Sequence, residues 1–289
     1  KAYDTLVERG VKTLHYVEPD AIYALKNEFR AMADVTHPNL VGLHNLVRDG
    51  DLWFITMELV DGVTFVDYLR ADPRSICERC QVGLRQVVAG VEAIHAAGKL
   101  HLDIKPSNVL VTREHRVVIL DFGLVREQIP AHLELTRDLD VEGTPLYMAP
   151  EQALGEPREP ASDWYAVGAM LYKGLTGSPP FTGSARRILE AKQKKCPPAP
   201  VPSSVPSILR PWVESSISLM SVDPAKRPTG REVLAKLGHS PGPASVRRRG
   251  SGRDVFVGRE PELQRLEASL RSTMRGGSAL VLVHGPSGI

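Results

Sequence analysis

The sequence predicts an α+β chain in which a β-rich part comes first and a helical part follows. Three observations carry this. Short apolar runs at Leu40–Leu43 and Leu52–Met57 fall within residues 1–60 and read as strands. From Ile76 to Ala97, Val82, Leu84, Val87, Val88, Val91, Ile94 and His95 share one helical face, long enough for a buried helix. Between these features and the later helices, Val109–Val111 and Val117–Leu120 flank the polar Thr112–Arg116, the pattern of a β-hairpin.

That hairpin carries a polar cluster, His101-Leu-Asp103-Ile-Lys105-Pro-Ser-Asn108 before it and Asp121-Phe122-Gly123 after it. Asp103, Asn108 and Asp121 are expected to converge, with Lys105 beside them. Asn108 and Asp121 are oxygen ligands of the kind that suit Mg²⁺, which keeps several waters and takes carboxylates together with substrate phosphates. A carboxylate left off the metal can take a hydroxyl proton, and a lysine can neutralise a moving phosphoryl group.

These two motifs at this spacing resemble the catalytic loop and metal-binding motif of eukaryotic-type protein kinases, as found in bacteria. The resemblance implies a two-lobed fold, with a small β-rich N-lobe lacking its first strand and a larger helical C-lobe. It implies ATP as phosphate donor and Mg²⁺ as the metal, held by Asn108 and Asp121. Asp103 becomes the catalytic base and Lys105 the group that steadies the γ-phosphoryl. The lysine two positions after Asp103 is the Ser/Thr pattern, so the expected acceptors are protein Ser and Thr hydroxyls in a signalling pathway.

Residues 1–60 then read as a partial N-lobe and hinge. Kinases place a glycine-rich loop over the ATP phosphates just upstream of this stretch, so the chain is expected to begin inside the second strand without that lid. Gly10-Val-Lys12-Thr-Leu14 resembles the third-strand lysine motif in a shortened form and makes Lys12 the ligand of the α- and β-phosphates. Asp20–Asp34 carries Ile22, Leu25, Phe29 and Met32 at helical spacing, and Glu28 on the edge of that stripe is the expected partner of Lys12. Met57-Glu58-Leu59-Val60-Asp61-Gly62 resembles the hinge. Met57 takes the gatekeeper position, backbone groups of Glu58 and Val60 meet the adenine, and Leu110 lies beneath the ring.

Residues 61–237 read as the C-lobe. His95 is expected to be a satisfied core histidine, and His101 to be structural. Leu124–Met148 matches an activation segment, closed by Gly143-Thr144-Pro-Leu-Tyr-Met-Ala149-Pro150-Glu151. In the family Glu151 is held by Arg227, Asp163 braces the catalytic-loop backbone, and Thr144 braces Asp103 and Lys105. Ser162 is read as the cap of the helix bearing Trp164, Val167, Gly168, Leu171 and Leu175, and Thr229-Gly-Arg-Glu232 as a capping box.

Residues 238–253, rich in Gly, Ser, Pro and Arg, read as a linker. Residues 254–289 change character: an apolar-striped helix (Leu263, Leu266, Leu270), a buried strand at Ala279–Val283, then His284-Gly285-Pro-Ser-Gly-Ile289. They resemble the truncated start of an α/β P-loop ATPase, stopping before the lysine and hydroxyl that such a site needs. The ATPase region would then be a partner in cis.

Composition bounds the rest. In 289 residues, 42% apolar and 24% charged content is ordinary for a globular chain, and a net charge of +2 carries no argument for nucleic acid. Three cysteines make no closed disulfide framework, which favours a reducing, cytoplasmic setting, and Cys77-Glu-Arg-Cys80 has no second pair to complete a metal site. No apolar run reaches membrane-spanning length. Two alternatives remain beside the Ser/Thr kinase. A pseudokinase that regulates the appended ATPase is suggested by Leu102, where most kinases carry arginine. A small-molecule kinase shares the loop chemistry but lacks the peptide-docking segment marked by Ala149-Pro150-Glu151.

Overall fold

The computed structural model describes residues 9–14, 26, 29, 35–49, 52–120, 144–194, 201, 203, 205–238 and 247–248. These fall into two units, one holding the early strands and one running from Val60 to Arg248 together with Val35–Val41.

In the first unit β1 (Arg9–Leu14), β3 (Leu43–Asp49) and β4 (Leu52–Glu58) form an antiparallel sheet in the order β1-β4-β3. Lys12 stands opposite Ile55, and Met57 stands between Gly10 and Leu43. Leu46 on β3 and its cross-strand partner Ile55 on β4 are buried, as are Thr56 and Met57. The strand predicted at Leu40–Leu43 begins instead at Leu43. Leu40 and Val41 belong to the other unit, where Val41 N donates to Ile119 O (3.0 Å) and Leu40 makes a single parallel bridge to Ile119. A register shift between Leu43 and Asn45 marks the change. Of the helix predicted over Asp20–Asp34, only Lys26 and Phe29 are described, both helical, with Phe29 fully buried.

The second unit opens with β2 (Val35–Thr36), which pairs with β8 (Arg247–Arg248) inside the stretch read as linker. Then β5 (Gly62–Thr64) leads into α1 (Phe65–Arg70), capped by Thr64, whose hydroxyl accepts from Asp67 N. The long helix α2 spans Ile76–Ala96. Its buried face holds Cys80, Leu84, Val87, Val88, Val91 and Ile94, but Val82, expected among them, is 39% exposed. Cys80 lies on the stripe instead, and its thiol is pushed upward in pKa by burial. The hairpin forms as predicted from β6 (Val109–Thr112) and β7 (Val117–Ile119), with Leu110 opposite Val118, and β5 adds a third strand beside β6. Asn39 Nδ2 donates to Val117 O and Gln86 Oε1, both at 2.8 Å, tying β7 to α2.

Short helices α3 (Thr144–Tyr147) and α4 (Pro150–Leu154) precede α5 (Pro160–Thr176), which is buried along nearly its whole length. A helix apolar on every side belongs in the centre of its unit. It starts at Pro160, not at the Ser162 cap read from the sequence. Proline is preorganised for the first helical position, and the Ser162 hydroxyl is engaged elsewhere. Against α5 packs α7 (Arg210–Leu219), while α6 (Ala185–Gln193) packs on α3 and α4, and α8 (Gly230–Lys236), opened by the predicted Thr229–Glu232 capping box, packs on α2. Where α5 meets α7, a Cβ on Gly168 would lie 2.7 Å from both Ser216 O and Leu219 Cβ. Gly168→Ala should therefore force the helices apart and lower stability by about 1–3 kcal/mol, read as a lower urea midpoint at unchanged slope.

Candidate functional site

The loop from His101 to Asn108 is held from beneath by one carboxylate. Asp163, in the first turn of α5 and 1% exposed, accepts from His101 N at 2.9 Å and from Leu102 N at 2.7 Å. Its Oδ2 also lies 2.8 Å from His95 Nε2, whose ring meets Trp164 edge-on at 5.7 Å. His95 is thus a bonded core residue. The ring of His101 divides its roles: Nδ1 accepts from Asp103 N (3.2 Å) and Nε2 donates to Leu120 O (2.8 Å). Leu102 sits between these anchors with φ of 60°, in the left-handed region that a leucine enters only at a cost of about 1–2 kcal/mol. Asp163 fixes its N–H, and Gln152 Nε2 donates to its carbonyl at 3.3 Å. Backbone held so firmly in a sparse region is common where a site must be preorganised.

Asp103, Lys105 and Asn108 come together at the end of this loop. Asn108 closes one 3₁₀ turn, Pro106–Asn108, begun by a proline that fixes its φ. Its Nδ2 donates to Asp103 Oδ2 at 3.0 Å and to Asp103 O at 2.9 Å, and Lys105 Nζ lies 3.0 Å from the same Oδ2. The amide therefore aims its oxygen, contacted by Ser107 Oγ at 3.4 Å, away from Asp103. An oxygen donor fixed in this way suits Mg²⁺. Asp121, the other expected ligand, lies outside the described residues; Leu120 just before it donates its N–H to Asn108 O at 2.8 Å. Among the described residues no group of three or more His, Cys, Asp or Glu is placed to hold a metal.

The other expected residues that are described are divided between the two units. Leu110 is half-buried on β6 in the second unit, and Val60 follows the end of β4. Lys12, Met57 and Glu58 belong to the sheet of the first unit, where Glu58 N donates to Gly42 O at 2.8 Å. Glu28 lies outside the described residues, as does most of the predicted activation segment.

The segment after it is anchored by a buried ion pair. Arg227 Nη1 and Nη2 reach Glu151 Oε1 and Oε2 at 2.6 and 2.8 Å, a bidentate contact with the arginine side chain wholly buried. The other donors go to Ala161 O, Ser221 O and Val222 O, and Ser162 Oγ donates to Glu151 Oε1 at 2.7 Å. Every N–H of the guanidinium has an acceptor, the condition under which a buried pair is tolerated. Two residues escaped the sequence reading. Gln152, which binds the Leu102 carbonyl, immediately follows the motif that ends at Glu151. Lys192 falls on the apolar stripe of Ile188 and Leu189, and a lysine on such a stripe was the signal.

Residues 8–237 match the protein kinase domain family. The chain belongs to the protein kinase family. It is 33% identical over 205 residues to the serine/threonine-protein kinase PknA of Mycobacterium tuberculosis, which covers 69% of this chain and 47% of that protein. It is 34% identical over 238 residues to PkaA of Streptomyces coelicolor, covering 76% and 42%. With pkn2 of Myxococcus xanthus, also named a serine/threonine-protein kinase, the identity is 30% over 289 residues, covering 96% and 35%. This kinase chain thus spans about half or less of the length of these relatives.

Burial on its own would raise the Glu151 pKa, but hydrogen bonds from Arg227 and Ser162 outweigh it and hold the carboxyl below the ordinary range. A depressed folded-state pKa adds stability that is complete above the unfolded value of 4.5 and is lost as pH falls through the folded value. Glu151→Gln should remove about 3–5 kcal/mol at neutral pH by stranding the guanidinium. In urea titrations over an acid pH series, its midpoint should fall less steeply than that of wild type.

Proposed function

We propose that the protein is a Ser/Thr protein kinase that transfers the γ-phosphoryl group of ATP to protein hydroxyls. The observation that carries this is the approach of Lys105 Nζ and Asn108 Nδ2, both 3.0 Å, to the one Asp103 oxygen. It is supported by family membership and by the names of the relatives. Asp103 receives the proton of the acceptor hydroxyl as that oxygen bonds to the γ-phosphorus, and the bond to the β–γ bridging oxygen breaks, leaving ADP with the electron pair. Lys105 places positive charge beside the moving group, and Asn108 holds Asp103 in one orientation. Mg²⁺, held by Asn108 and Asp121, would supply charge neutralisation at the phosphates. The nucleotide roles of Lys12, Glu28, Met57, Glu58, Val60 and Leu110 rest on resemblance to the family motifs.

Among the described residues no helix is long and apolar enough to cross a membrane. The sparse cysteines support a cytoplasmic setting, and residues 254–289 support a P-loop ATPase in cis as the source of control.

A second reading, a kinase-shaped scaffold, is favoured by Leu102, which is 8% exposed and offers no charge where most kinases present an arginine. In the full-length protein Asp103→Asn should cut turnover by a factor on the order of 10² or more, because a positioned base is lost. A mutant that phosphorylates a generic Ser/Thr acceptor at the wild-type rate would refute the assignment. Without an arginine to receive a phosphate, control by segment phosphorylation has lost its partner, and Thr136 and Thr144 are the only Ser or Thr between Asp121 and Glu151. Thr136→Ala should therefore leave activity nearly unchanged; a loss of about tenfold contradicts this, and inactivity of both proteins favours the scaffold.

A further inference from the structure

Lys192 on α6 is 0% exposed and has no carboxylate within ion-pair distance among the described residues. Its Nζ donates to Leu146 O at 2.9 Å and to Met148 O. It also lies 4.9 Å from the centre of the Tyr165 ring and 5.2 Å from that of Phe181. Burial pushes its pKa well below the lysine range, with nearby Glu151 working against that fall and Arg227 adding to it. A methionine or leucine at this point of an apolar stripe would fill the core at no desolvation cost. What the lysine adds is two hydrogen bonds to two carbonyls of one short stretch, with aromatic faces to offset the lost water.

That stretch immediately precedes Ala149-Pro150-Glu151, and it is gripped from the other side. Arg227 holds Glu151 and lies 5.0 Å from the Tyr165 ring, so one ring is approached by both cations. Residues 146 to 151 are therefore fixed at two carbonyls by α6 and at one carboxylate by Arg227. We propose that Lys192 is a positioning residue that sets the peptide-docking ledge at Leu146–Met148, and so governs affinity for the protein substrate and not the phosphoryl-transfer step. The proposal rests on the kinase reading above.

The test is Lys192→Met in the full-length protein, with hydrogen exchange at residues 146–149 read beside peptide kinetics and ATP binding. The clamp predicts exchange at those amides quickened by about tenfold or more. It also predicts peptide KM raised by about tenfold, with kcat changed less than about threefold and ATP affinity unaltered. Unchanged exchange, or an unchanged KM in a folded variant, overturns the proposal. Equal losses of ATP and peptide affinity overturn it too, since they report general destabilisation. Should Lys192→Met not fold, Phe181→Leu removes one aromatic face and keeps the lysine; exchange and KM should each rise by about threefold, and no change in either overturns the clamp. A wild-type protein that phosphorylates no Ser/Thr peptide removes the kinase reading and the affinity role with it, whereas the exchange measurement still decides the clamp.

Discussion

A guanidinium sealed from water must have every donor met, and Arg227 achieves this only if three separate stretches of chain stay where they are. Glu151, Ala161 and the Ser221–Val222 turn each supply acceptors to it. Ser162 joins the same cluster through Glu151, and its neighbour Asp163 binds the backbone of the His101–Asn108 loop. Adjacent residues of one helix turn thus tether two functional loops, the first by way of the ion pair and the second directly. Gln152 closes the circuit by reaching from the anchored segment to the Leu102 carbonyl. Loss of the ion pair would be felt at Asp103 without any direct contact between them.

What the sequence made legible is what repeats or what packs. The hairpin, the long helix and the capping box follow from local periodicity and turn chemistry, and all three are present. The convergence of Asp103 and Asn108 was readable because five residues and one 3₁₀ turn separate them. Departures arose where long-range pairing overrides local pattern. Leu40 and Val41 look like the start of a strand, yet their backbone bonds go to β7 in the second unit. Val82 has the spacing of a core residue, but Cys80, two residues earlier and so on the opposite side of the helix, occupies the buried stripe one turn before Leu84. Ser162 has the chemistry of a cap, but a proline before it and a carboxylate beside it decide otherwise. Lys192 was hidden for a related reason: charge in an apolar stripe looks like noise until the carbonyls it serves are located.

Leu102 shows how a loop keeps its shape when the side chain at its centre is apolar. Its backbone conformation is imposed by acceptors and donors on other elements, so the leucine itself contributes packing and not charge. The division is economical, since neither bond depends on a side chain of residue 102. Asp103 then inherits its direction from a neighbour pinned at both ends, and Asn108 and Lys105 complete the alignment.

The reach of these tethers along the chain also sets an order of assembly on the ribosome. The brace between His101 and Asp163 spans 62 residues, and the bond between Glu151 and Arg227 spans 76. At roughly 5–20 residues per second of synthesis, the His101–Asn108 loop waits some seconds for its aspartate, and the segment around Glu151 waits a similar time for its arginine. During that interval both loops are nascent chain without their partners, and the stretch from Pro160 to Thr176 is the piece on which each must converge.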